Sequence, residues 1–111
     1  METSVDQRGG VIAVHISGSV DGLTAEDLQR VFSGEVGAGH HDLVADFGEV
    51  DYMSSAGLRV LLATLKQTRS LGGDLRLAGP HPEVRKVLDL SGFTSILKIF
   101  DTVDDAVASF G

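Results

Sequence analysis

The chain has 111 residues, 16 acidic against 9 basic side chains, a formal charge of −7 and no cysteine. That length suits one domain with a single core, burying roughly two-thirds of the surface the unfolded chain exposes. The acidic balance argues against nucleic acid, the missing thiols leave no disulfide or thiolate-metal chemistry, and no leader or apolar run of about 18 residues points to export or a membrane span.

The first ten residues are polar and end in the turn signal Gly9-Gly10, with residues 3–6, Thr3 to Asp6, a candidate short edge strand. Residues 11–16 are dense in β-branched side chains and stop at Ser17-Gly18, which predicts a strand, central or covered on both faces because it barely alternates. After Asp21-Gly22 the period changes. Thr24 with Asp27 three positions later imitates a capping box, and Leu28, Val31 and Phe32 share a face, so a helix is expected over about residues 25–33. Gly34 to Gly39 reads as a glycine-rich connection into His40-His41.

Residues 43–73 organise the rest. Residues 43–47 are a second strand interrupted by Asp46, residues 48–53 read as a turn-like connection, and Ser54-Ser55 opens a long amphipathic helix that stops at Gly72-Gly73. Leu58, Leu61, Leu62 and Leu65 fall at the i, i+3, i+4, i+7 spacing of a buried stripe. The far face holds Ala56, Val60, Ala63 and Gln67, edged by Ser55, Arg59 and Lys66; it is small enough to receive another element or a partner. Ser54 or Ser55 is the expected N-cap.

Residues 74–78 alternate like a strand with one drier face, and Gly79-Pro80 ends them. Residues 82–90 are helical in pattern, with Pro82 early and Val84, Val87 and Leu88 forming the stripe. Residues 97–100 are a short final strand candidate, and Thr102 with Asp105 opens a last helix carrying Ala106, Val107 and Phe110. The alternation implies an α/β domain over residues 1–111: a mixed, mostly parallel sheet of four to five strands packed with about four helices.

The run from Asp46 through Val60 to Leu62, with Gly18 to Asp21 before it and Gly72-Gly73, Leu75 to Pro80, Val84 to Leu90 and Ser91-Gly92 after it, resembles the STAS domain of bacterial anti-sigma factor antagonists. The motifs keep the family's order with short gaps over nearly the whole chain from Val11. The resemblance implies that Ser55 matches the serine phosphorylated by a partner that is both anti-sigma factor and serine kinase. It also implies a serine phosphatase that resets Ser55, ATP consumed by the kinase, and no cofactor in this chain. The family commonly has Asp just before that serine and Ser or Thr after it. Here Ser54 and Ala56 stand in those places, which leaves Ser54 a competing acceptor. The implied partner surface is Asp21, Gly22 and Thr24 with Ser54, Ser55, Ala56, Arg59, Val60 and Ala63; Asp46, Asp51 and Gly57 would support the acceptor.

The implied protein is a cytoplasmic monomer or weak dimer without direct membrane contact. Its unphosphorylated form binds the kinase and frees a sigma factor. The competing function is a constitutive STAS regulatory or scaffold subunit of a transporter or signalling complex. Taken alone, helix-opening serines are mostly N-caps, and Asp46 and Asp51 read as solvated turn acids. No Gly-x-Ser-x-Gly elbow or phosphate loop appears, so no enzyme is expected. Adjacent strand histidines such as His40-His41 point to opposite faces, and neither His15 nor His81 gives ligand spacing, so no metal is expected.

Overall fold

Strands with apolar residues on both faces need cover on both sides, and the chain supplies it with helices on each face of one sheet. The computed structural model describes residues 1–111. In chain order it holds β1 (Glu2–Arg8), β2 (Val11–Val20), α1 (Ala25–Gly37), β3 (Asp42–Met53), α2 (Ser55–Ser70), β4 (Asp74–Ala78), α3 (Pro82–Leu90), a 3-10 turn (Phe93–Ser95), β5 (Ile99–Phe100) and α4 (Val103–Ala108). The five strands lie in the order β1-β2-β3-β4-β5, with β1 antiparallel to β2 and every other neighbouring pair parallel.

The main core lies under α1, α2 and α3. Ile12, Val14 and Ile16 of β2 and Leu43, Ala45 and Phe47 of β3 meet Leu28 and Phe32 of α1, Leu61 and Leu65 of α2 and Leu88 of α3 there. The opposite face has a smaller cluster in which Ala106 of α4 rests on Val11, Val44 and Ala78. Small residues at Ala78 and Ala106 let the short helix approach the sheet.

Four expectations need correction. Residues 48–53 are not a loop: β3 runs on beside β2 to Met53, crossing two register shifts and burying Val50 and Met53 on the main-core side. The irregular register disturbs the period-2 pattern, which is why the segment read as a turn. For the same reason β2 continues past Ser17-Gly18 to Val20. α1 extends through Gly34 to Gly37 because buried Val36 anchors its last turn while both glycines face solvent. Each exposed helical glycine costs only about 1 kcal/mol against alanine, less than burying a valine returns. The Thr24 side chain does not cap α1; its hydroxyl serves the preceding turn instead.

The stripe of α2 is also rotated from the leucine reading. Gly57, Val60, Leu61, Thr64, Leu65 and Thr68 are buried, whereas Leu58 and Leu62 sit at the margin. α1 lies alongside α2, so Val60 turns into the main core rather than onto a far face. Val60 therefore leaves the candidate partner surface. Ser55, Arg59, Ala63, Lys66 and Gln67 remain exposed.

Candidate functional site

The C-terminal ends of β2 and β3 meet the N-terminus of α2 at one rim of the sheet. The Ser54 N–H donates to the Val20 carbonyl at 2.8 Å, fixing where the helix begins relative to β2. Ser54 has extended backbone (φ −90°, ψ 172°), and its hydroxyl accepts the Gly57 N–H at 3.3 Å, so it is the N-cap. Ser55 is the first helical residue. Its side chain is exposed, and no hydrogen bond engages its hydroxyl. The two serines thus have separate jobs in the fold: one closes the helix end, and the other projects from it.

Gly57 brings the first turn of α2 close to both strands. A Cβ there would come within 2.2 Å of Met53 Sδ and 2.8 Å of Val20 Cγ1, so any side chain would push the helix end off the sheet. One turn along from Ser55, at i+4, the exposed guanidinium of Arg59 forms no ion pair within the chain. Ala56 is half-buried against the main core, and Ala63 lies two turns from Ser55 on the outer side.

The loop between β2 and α1 forms the other side of the rim. The Asp21 carboxylate accepts the Leu23 N–H at 2.9 Å and the Thr24 N–H at 3.0 Å. The Thr24 hydroxyl accepts the Asp21 N–H at 2.9 Å and directs its proton toward the Ser19 carbonyl at 2.9 Å. These bonds, Thr24 first and Leu23 next, hold the Asp21 carboxyl below the usual carboxylate range. Gly22 and Leu23 stand at the tip, and Leu23 is 88% exposed. Sequence reasoning passed over Leu23; the signal was a leucine inside an Asp-Gly-x-Thr turn, where no core reaches.

Asp51 belongs to the rim. It is exposed, three residues before Ser54, and accepts the Ser19 hydroxyl at 3.0 Å. Asp46 does not belong there. It sits in mid-β3, where its carboxylate accepts His15 Nδ1–H at 2.6 Å and the Gly48 N–H at 3.0 Å. Seven residues of strand, roughly 20 Å, separate it from the end of β3. The sequence placed both acids at one strand end because it ended β3 six residues early. Neither His15 nor any other histidine bonds to Ser54 or Ser55; His81 donates to the Gly48 carbonyl at 2.6 Å, and His40 pairs with Glu35.

The family model of the STAS domain matches residues 2–106. The chain belongs to the STAS domain family. A Bordetella bronchiseptica protein named as a candidate anti-sigma factor antagonist, BtrV, is 37% identical over 110 residues, covering 99% of this chain and 95% of its own. The anti-sigma-B factor antagonist of Bacillus subtilis is 32% identical over 101 residues, covering 89% of this chain and 90% of its own. Among solved structures, an anti-sigma factor antagonist from Mycobacterium paratuberculosis superposes with a TM-score of 0.86 at 28% identity, covering 97% of this chain and 92% of that one. The five-stranded mixed sheet with four helices is the STAS fold, and the names its relatives carry are regulatory rather than catalytic. No helix of this STAS domain is long and apolar enough to cross a membrane.

Proposed function

We propose that this STAS domain is an anti-sigma factor antagonist switched by phosphorylation of Ser55. Unphosphorylated, it docks an anti-sigma serine kinase in the cytoplasm through the rim formed by Asp21, Gly22, Leu23 and Thr24 with Ser55, Ala56, Arg59 and Ala63. Docking frees a sigma factor; the kinase spends ATP to end it, and a serine phosphatase restores the free hydroxyl. The observation that carries this reading is the division between the serines: Ser54 is committed as N-cap, whereas Ser55 is exposed and unbonded. The names of the relatives support the antagonist role.

The physics of the switch follows from position. A phosphoryl group at the first residue of α2 adds about −1.5 to −2 charge. The free N–H groups of the helix end and its dipole accommodate that anion within the domain, and Arg59 one turn on offers a cation. The domain keeps its fold when modified. A partner carboxylate about 6 Å away is repelled by roughly 2.8 kcal/mol per added charge at an effective dielectric near 20. Nearly two charges weaken docking by roughly a thousandfold.

The test is incubation with candidate anti-sigma kinases and ATP, phosphate mapping by mass spectrometry, and titration of Ser55→Ala and Ser55→Asp against the kinase. Phosphate should map to Ser55, Ser55→Ala should bind like the parent, and Ser55→Asp should lose most of the affinity with an unchanged circular dichroism spectrum. Tight binding by Ser55→Asp, or phosphate on Ser54 alone, overturns the assignment.

A further inference from the structure

We propose that β1 is the seam of a two-fold dimer in which two copies of this chain pair antiparallel about Val5, joining their sheets edge to edge. β1 is the outermost strand, seven residues long, and pairs with β2 in an uninterrupted register from Glu2↔Ser17 to Arg8↔Val11. Of the usual devices that protect an edge, the strand has no proline, no bulge and no lysine; its charges are Glu2, Asp6 and Arg8, of both signs. Residues 2–7 are all exposed, including Val5 at 46%. The opposite edge is different, since β5 has only two residues, both half-buried.

The hairpin fixes which backbone groups point outward. Gly9 (φ +66°) and Gly10 form a two-residue loop, the turn that makes the flanking Arg8 and Val11 a hydrogen-bonded pair. Such pairs alternate along an antiparallel ladder. Residues 8, 6, 4 and 2 therefore spend their backbone groups on β2, and Thr3, Val5 and Gln7 direct theirs outward. A two-fold axis at Val5 puts these outward groups in register: Val5 opposite Val5, Thr3 opposite Gln7 and Gln7 opposite Thr3. Every outward N–H and C=O of these three residues then finds a partner.

The side chains select a second copy over an unrelated strand. Read backwards against itself about Val5, the strand sets Glu2 opposite Arg8 at both ends and Ser4 opposite Asp6 between them, all on one face. On the other face the exposed Val5 meets its own copy. In this register no two like charges stand directly opposite. The pairing is isologous and closes at two. Because the strands run antiparallel, the α2 tips of the two copies point to opposite ends, and both stay open to partners.

Sedimentation equilibrium over a concentration series tests the seam. The parent should move from monomer toward twice the monomer mass as concentration rises. Val5→Pro removes an outward N–H and no ladder bond to β2, so it should weaken association at least tenfold with an unchanged circular dichroism spectrum. Glu2→Arg should weaken association by setting arginine against Arg8, as Arg8→Glu should by setting glutamate against Glu2. The double exchange Glu2→Arg with Arg8→Glu should restore it relative to either single change. A parent that stays monomeric to about millimolar concentration, or a dimer indifferent to Val5→Pro and to the charge exchange, overturns the proposal.

Discussion

The Thr24 and Leu23 N–H groups donate to the Asp21 carboxylate, and those bonds lower its proton affinity in the folded state. Linkage then gives a sign. A carboxyl depressed on folding contributes stability that is fully present above its unfolded value, about 4, and is lost as pH falls through the lower folded value. Asp21→Asn keeps an acceptor oxygen without the charge. The parent should therefore have the higher urea midpoint at pH 7, and the gap to Asp21→Asn should close as pH falls below the usual carboxylate range. A gap that stays constant through the acid range would show that geometry alone holds the turn. The same residue scale separates Ser54 from Ser55: adjacent serines are indistinguishable as letters, and only the helix start fixed by the Ser54–Val20 bond makes one a cap and the other free.

At the scale of elements, the junction between α2 and β4 depends on two glycines for different reasons. A Cβ on Gly73 would lie 2.0 Å from the His41 carbonyl oxygen, backbone that cannot swing aside. The Asp74 N–H bonds to that same carbonyl at 3.1 Å, so relief by separation would break the start of the β3–β4 pairing. Gly72 has φ +84° and open space around its Cβ position. Gly73→Ala should lower stability by about 3 kcal/mol, and Gly72→Ala by about 1 kcal/mol, read from urea midpoints; equal losses would contradict the contact. The sequence marked this glycine pair as the stop of α2 because helix periodicity and punctuation coincide there. It marked β4, α3 and the last helix for the same reason. It ended β2 and β3 early because glycines read as breaks, while the parallel ladder between the strands tolerates two register shifts. That error moved Asp46 to the rim, and a leucine-weighted stripe moved Val60 to the outside. Leu23 stayed unseen because exposure of one loop leucine has no periodic signature.

Across the whole molecule, Asp74 is where the layers are tied together at the end remote from Ser55. It is the first residue of β4, and its side chain is 13% exposed. One carboxylate oxygen accepts Arg69 Nε–H of α2 at 2.9 Å, and the other accepts Arg76 Nε–H of β4 at 3.0 Å. Each arginine then reaches further. Arg69 donates to the Ile96 carbonyl after the 3-10 turn at 2.6 Å. Arg76 donates to the Ser109 hydroxyl at 2.7 Å and stacks 4.0 Å from the Phe110 ring centroid, fastening the chain just after α4. Removing the carboxylate strands Arg76, whose side chain is 12% exposed, more than Arg69 at 44%. Asp74→Ala should therefore cost about 3 kcal/mol and speed amide exchange in α4. Arg30 offers the comparison: its pairs with Asp27 and Glu26 lie on the surface, with its own side chain 71% exposed. Arg30→Ala should cost less than about 0.5 kcal/mol of unfolding free energy in urea titrations. If Asp74→Ala costs no more than Arg30→Ala, the two faces of the sheet are held by apolar contact alone, and the buried carboxylate contributes nothing that a surface pair does not.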